Sequence, residues 1–276
     1  MKRHLNLFYP QWQGGGQDRS TYEGALELKK IYCKETTFSE VEVSTEDVSK
    51  SKNNIIGYAE IFKQLVQSKA LIIQEQPETV FTIGGGCDAD VASISYLNEK
   101  MKGEMTVLWF DAHGDINTPE SSVSKYFYGM PLRTLLGDGE KAIVKLAYPS
   151  LLPSQLIMLG IRDLDEAEKE YIVEQNISMF AVNDIEQRID LVIKAVKKKG
   201  YENIYVHIDL DVLDSDEFPH VPVPAPSGLK VNTFKELLKK LDKEFKIIGL
   251  GLFEYQASEG HTIELLEDII KIGINL

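Results

Sequence analysis

Cysteine is scarce: the 276 residues hold two, Cys33 and Cys87, far apart in the chain. No disulfide framework can be built from that, and a reducing cytoplasm is the expected location. Positive charge is in deficit, with 30 Lys and Arg against 43 Asp and Glu, a formal net charge of -13. Such a surface repels phosphate backbones, which argues against a nucleic-acid partner. It attracts cationic small molecules only weakly, because most of the charge is solvated. No apolar run approaches the roughly 20 residues that span a bilayer, so no membrane partner is expected. The apolar run after Met1, Lys2, Arg3 and His4 stops at Pro10, too short for a signal peptide. Internal repeats and low-complexity linkers are missing as well. What the chain does have is 43% hydrophobic residues, enough for a sizeable core within one domain spanning residues 1–276.

Short apolar runs, many of them β-branched, read as buried strands: Leu5 to Phe8, Val80 to Ile83, Met105 to Phe110, Leu156 to Gly160, Ile204 to Asp211 and Ile247 to Glu254. Amphipathic stretches lie between them. Ile55, Ala59, Phe62, Val66 and Ala70 share one helical face by spacing. So do Ile185, Ile189, Val192, Ile193 and Val196, with Gly200 as a stop, and Ile263, Leu266, Ile269 and Ile270 mark a closing helix. Alternating strands and helices imply an α/β fold of three layers, with a central, mostly parallel sheet covered on both faces. In such sheets, site residues gather at the carboxyl ends of strands. The segment Asp214 to Gly228 carries four prolines and reads as an ordered loop directly after a strand.

Two polar clusters sit at those strand ends. Asp111, His113 and Asp115 follow the apolar strand ending at Phe110. Carboxylate oxygens with an imidazole suit Mn²⁺, Fe²⁺ or Zn²⁺, although an aspartate here could instead cap the next helix. His207, Asp209 and Asp211 interrupt another apolar strand, where alternation places all three on one face. Adjacent like charges are costly unless a cation neutralises them. A shared metal site explains both clusters. Two ions about 3.5–4 Å apart could share one bridging hydroxide, with the pKa of water lowered from about 15.7 toward about 7.

Gly84, Gly85, Gly86, Cys87 and Asp88 follow a third strand; with Ala89 they meet only a loose dinucleotide fingerprint and lack the phosphate-loop lysine. Cys87 is either a metal ligand or a buried structural thiol. Glu254, after the last strand, suits a cationic substrate or is a surface carboxylate.

From Leu5 to Leu276 the chain resembles the ureohydrolases: arginase, agmatinase, formimidoylglutamase and guanidinobutyrase. The resemblance is carried by DAHGDINTP (Asp111 to Pro119), HIDLDVLD (His207 to Asp214), IRDLDEAE (Ile161 to Glu168), Ser227-Gly228-Leu229 after the proline loop, and GLFEYQ (Gly251 to Gln256). It implies a single arginase-like domain, commonly a homo-oligomer (trimer or hexamer), and two Mn²⁺ ions. Asp111 and Asp209 would bridge the ions, His113 and Asp211 would complete one, and Asp115 the other while orienting the hydroxide. Glu254 would hold a guanidinium. Asn117 and Ser124 would receive a substrate carboxylate, with Asp165 near its amino group.

The chain departs from the family pattern at several positions. Cys87 stands where arginase has a histidine ligand, and Gly86 replaces the aspartate before it. His207 stands where serine is usual; it is expected to replace the lost imidazole in part, as ligand or supporting partner. Tyr128 replaces a histidine thought to shuttle protons, and Val223 a threonine. The leading expectation is a manganese hydrolase that cleaves a C–N bond of a linear guanidine or amidine, a guanidino or formimino small molecule. The alternative is a non-catalytic or weakly active arginase-like binding protein with an impaired metal site.

Overall fold

A computed structural model of the protein describes residues 3–276; Met1 and Lys2, the start of the leader reading, lie outside them. Eight strands form one sheet: β1 (His4–Tyr9), β2 (Ser39–Glu40), β3 (Thr79–Gly84), β4 (Thr106–Phe110), β5 (Leu156–Leu159), β6 (Ser178–Phe180), β7 (Asn203–Asp209) and β8 (Lys246–Phe253). All neighbours pair parallel, in the order β2-β1-β3-β8-β7-β4-β5-β6. Among the described residues ten α-helices accompany them, the last following β8: α1 (Ser20–Tyr32), α2 (Tyr58–Glu75), α3 (Val91–Lys100), α4 (Pro131–Leu135), α5 (Lys141–Leu146), α6 (Glu166–Glu174), α7 (Val182–Gln187), α8 (Ile189–Lys199), α9 (Val231–Glu244) and α10 (Glu264–Gly273).

The strand order and the right-handed rule together account for the layers. A parallel crossover is right-handed. Connections that run one way along the sheet (α1, the α7–α8 pair and α9) therefore cover one face. Those that run the other way (α2 to α6) cover the opposite face. The two apolar cores divide accordingly. Leu108, Phe110, Val206 and Ile208 pack with α8, α9 and α10, while Val107, Trp109 and Tyr205 pack with α2 and α3. Alternation along each strand, period two, produces this split.

The strand order reverses between β3 and β4, where β8 and β7 are inserted. A crevice opens outside the carboxyl ends at such a point. All four polar motifs lie on these central strands.

Two local readings need correction, and two edge strands were not read. In α2 the buried face is Tyr58, Ile61, Gln64, Leu65, Ser68 and Ile72, whereas Ala59, Val66 and Ala70 face solvent. Ile55 is buried but precedes the helix. Two polar residues on the inner face hid the register, and Gln64 is held there by a bond from Nε2 to Gln13 Oε1 (3.2 Å). Second, β7 stops at Asp209, and Asp211 lies in a 3-10 turn (Leu210–Val212), so strand alternation does not aim it. The unread strands, β2 and β6 at the sheet edges, are only two and three residues long, too short to show a period. No described helix is long and apolar enough to cross a membrane.

Candidate metal centre

β4 ends in Trp109-Phe110, and Asp111, which follows it, is fully buried. Its Oδ1 accepts the His113 amide (2.6 Å) and its Oδ2 accepts the Trp109 indole N–H (3.0 Å). At the end of the adjacent β7, Asp209 Oδ1 accepts the Asp211 amide (2.8 Å). That bond turns the chain and swings Asp211 toward β4, where its Oδ1 accepts the Ala112 amide (2.9 Å) and its Oδ2 meets His113 Nδ1 (2.8 Å). The two clusters read from sequence thus interlock, and Asp111, His113 and Asp211 hold donor atoms within 4.8 Å of one another.

β3 delivers Cys87 and β8 delivers Glu254. Cys87 Sγ lies 3.2 Å from Asp209 Oδ2 and 3.3 Å from His207 Nε2. Glu254 Oε1 accepts the Cys87 amide (3.3 Å). Cys87, Asp209 and Glu254 form a second converging group, and Cys87, Asp111 and His207 a third. Asp115 and Glu254 both adopt left-handed φ angles, 54° and 56°. For non-glycine residues this costs roughly 1–2 kcal/mol, a strain typical of functional positions. Asp115 Oδ2 is buried and has no hydrogen-bond partner.

The electrostatics describe a site that wants positive charge. Burial, then neighbouring carboxylates, raise Asp111, Asp115, Asp209 and Glu254 above the usual carboxylate range. Burial and the carboxylates around it, Asp209 foremost, push the Cys87 thiol up. Burial opposes a proton on His113, but Asp111 and Asp211 on either side outweigh it and hold that proton tightly. Burial would also raise Asp211; the hydrogen bond and charge of His113 instead keep it low. A divalent cation would supply the missing charge, and carboxylates, imidazoles and a thiol fit one.

Two chambers adjoin these donors. An inner cleft is lined by Cys87, His113, Asp115, Tyr128, Asp209, Asp211, Pro222, Val223 and Glu254. An outer, more polar one is lined by Asn117, Ser122, Ser124, Asp163, Asp165 and Glu168, and shares His113, Asp115 and Tyr128 with the first. Asn117 Nδ2 donates to Asp165 Oδ2 (2.9 Å), so those two expected residues are joined. The proline loop supplies Pro222 and Val223, as its place after β7 implied.

Five supporting residues were given no role in the sequence reading. Asp90 bonds His207 Nδ1 (2.9 Å). Glu168 accepts the amides of Ile116 (3.1 Å) and Asp165 (2.9 Å), fixing the Asp111–Asn117 segment against α6; burial pushes its carboxyl up to about 7. Gly114 makes room for it, since a Cβ there would lie 2.7 Å from Glu168 Oε1. The Arg162 guanidinium donates to six backbone carbonyls, including Asp211 and Ala225 (both 2.7 Å), and so ties the end of β7 to the proline loop. Trp109 both anchors Asp111 and stacks on His207 at 3.4 Å between ring centres. Asp90 sits beside one quoted motif and Arg162 within another, but nothing in their spacing marked them.

Comparison with known proteins agrees with this geometry. The family model described as the arginase family matches residues 19–270. The chain belongs to the arginase family. An arginase of Staphylococcus aureus (strain MRSA252) is 27% identical over 262 residues, covering 91% of this chain and 86% of its own. Among solved structures, the arginase of Entamoeba histolytica in complex with L-ornithine superposes with a TM-score of 0.88 at 22% identity, covering 100% of this chain and 99% of that one. Formimidoylglutamase from Bacillus subtilis superposes with a TM-score of 0.68 at 19% identity, covering 100% and 85%. The three-layer α/β expectation and the ureohydrolase resemblance both hold, and this arginase-family chain is placed among hydrolases.

Proposed function

We propose that the protein hydrolyses a C–N bond of a linear guanidine or amidine at a binuclear divalent metal centre. The observation that carries this reading is the convergence of two donor groups, Asp111–His113–Asp211 and Cys87–Asp209–Glu254, on one cleft where Asp115 Oδ2 has no partner. Asp111, His113, Asp115, Asp209 and Asp211 would hold the ions, Mn²⁺ by resemblance, with Cys87 and His207 at the altered position. When bound, two such ions supply a water-derived nucleophile at neutral pH and polarise what they touch.

The remaining work falls to side chains. Glu254 pairs with a planar cation entering the inner cleft, and its position beside Asp209 sets that cation against the donors. Asp115 receives the proton that the attacking water gives up, and its left-handed backbone aims the carboxylate inward. Water adds across the C–N bond, and the amine leaves carrying a proton. Tyr128, whose hydroxyl burial and then Glu254 hold protonated, donates a hydrogen bond at the cleft wall. Asn117, Ser124 and Asp165 in the outer chamber hold the far end of the substrate. These carboxamide, hydroxyl and carboxylate groups suit an amino-acid tail, in keeping with the L-ornithine in the Entamoeba arginase structure. Val223 offers no hydroxyl to the guanidinium, which favours guanidino or formimino compounds other than arginine.

The test is metal content per chain after Mn²⁺ loading and desalting, followed by a screen of guanidino and formimino compounds for urea, ammonia or formamide. Bound ions with turnover support the proposal. A folded protein that takes up no ion overturns it in favour of a non-catalytic binding protein.

A further inference from the structure

Resting on the binuclear reading, we infer that the two halves of the centre are chemically unequal: Cys87 and His207 together form a thiolate–imidazole position that selects a thiophilic divalent ion of the zinc or cobalt class. The other half, Asp111, His113 and Asp211, offers two carboxylates and one imidazole and takes a harder ion. Soft thiolate ligands favour the first class of ion, and carboxylates suit Mg²⁺ or Mn²⁺.

His207 is built as a ligand is built. Its ring is clamped between Trp109, 3.4 Å away and 7° from parallel, and Phe253, 4.7 Å away and 17° from parallel. Its Nδ1 meets Asp90 Oδ2 at 2.9 Å, and the other Asp90 oxygen is bonded by the Tyr205 hydroxyl. A carboxylate on Nδ1 leaves Nε2 as the free lone pair, the arrangement that metal-binding histidines use. That Nε2 points at Cys87 Sγ, 3.3 Å away, and both atoms lie within 4.8 Å of an Asp111 oxygen. At ordinary zinc distances and a tetrahedral angle, sulfur and nitrogen stand about 3.6 Å apart. The pair is therefore within a few tenths of an ångström of ligand spacing.

Gly251, beside His207 across the sheet, keeps the space open. A Cβ there would come within 2.7 Å of Asp90 Oδ2 and 2.3 Å of the Phe253 ring. All of Cys87, Asp90 and His207 are buried, a costly arrangement for a purely packing role. Asp90 is a positioning residue that acts through His207. Binding exchanges the thiol proton, released to solvent, for the ion.

The test uses the full chain, stripped with a chelator and titrated with Co²⁺ alone. A thiolate-to-cobalt charge-transfer band in the near ultraviolet should appear and saturate at one equivalent while a second equivalent binds. Zn²⁺ should abolish the band, and Mn²⁺ in equal excess should displace only the ion that does not produce it. Cys87→Ser should lose the band. His207→Gln should change the visible cobalt spectrum. Asp90→Asn should keep the band but weaken this ion's affinity roughly 10–100-fold. Two bound ions with no thiolate band would overturn this inference and leave the binuclear reading standing. A band with a His207→Gln spectrum and affinity like the parent's would overturn the imidazole half. No bound ion at all would overturn the binuclear reading itself. The band in the unmodified protein needs no variant to fold.

Discussion

Replacing Asp88 with asparagine should make the protein much more stable at pH 8 and only slightly more stable at pH 4.5. Asp88 is fully buried next to Cys87, and neither of its carboxylate oxygens has a hydrogen-bond partner. Backbone crowds it, for a Cβ on Gly14 would come within 2.6 Å of Asp88 Oδ1. Burial pushes its carboxyl up to about 7. In the unfolded chain it titrates near about 3.9. The folded protein therefore keeps a proton that the unfolded chain gives up. Stability is full below the unfolded value and falls as pH rises toward 7. At about 1.36 kcal/mol per pH unit, that interval removes roughly 4 kcal/mol by pH 8. Asparagine keeps the shape and cannot ionise. Urea unfolding of both proteins at the two pH values gives the answer, because the difference between them at each pH cancels every other titrating group. A stabilisation of roughly 4 kcal/mol at pH 8 that shrinks to about 1 kcal/mol at pH 4.5 is expected. A gap that stays constant, or a parent protein that gains on the variant as pH rises, would mean Asp88 is ionised and paired, and the reasoning would fail.

Three further outcomes follow from the same geometry. Arg162→Lys keeps the charge but cannot reach six carbonyls with three protons; a loss of about 2–4 kcal/mol in thermal unfolding is expected, with turnover falling as the proline loop loosens. Glu254→Gln should lower kcat/KM at least a hundredfold, because losing one partner of a buried charge pair costs about 3–5 kcal/mol, yet the metal-free protein should melt higher with one fewer clustered carboxylate. Adding Mn²⁺ to stripped protein at a hundred times its Kd should stabilise it by about 2.7 kcal/mol and release protons, which an unbuffered pH trace records. The released protons include the one that His113 holds between Asp111 and Asp211. Its raised folded value makes the metal-free protein lose stability as pH climbs above the ordinary imidazole range, and the ion should remove that dependence.

The sheet was legible because its central strands are buried on both faces, so their runs are continuously apolar and end abruptly in polar motifs. The edges were not, since Ser39–Glu40 and Ser178–Phe180 are too short for any period to register. The face of α2 was misread for a different reason. Gln64 and Ser68 are on the inner side, while Val66 is 42% exposed, so hydrophobicity marked the wrong stripe.

The candidate site divides along the same line between local and non-local information. Asp111, His113, Asp115, Asp209 and Glu254 stand at strand ends, and a strand end is a property of its own segment. Asp211 was picked out for the wrong reason: its aim comes from a turn that Asp209 itself caps, not from strand alternation. Asp90, Gly251 and Arg162 matter only because distant segments meet. Asp90 reaches His207 across 117 positions of chain, through a gap that Gly251 leaves in a third segment. No window of sequence contains that triangle. Yet His207 was visible as an ionisable residue in an apolar strand, and burying it there demanded partners. A buried polar residue therefore predicts a network before its members are known, and the fold supplies their names.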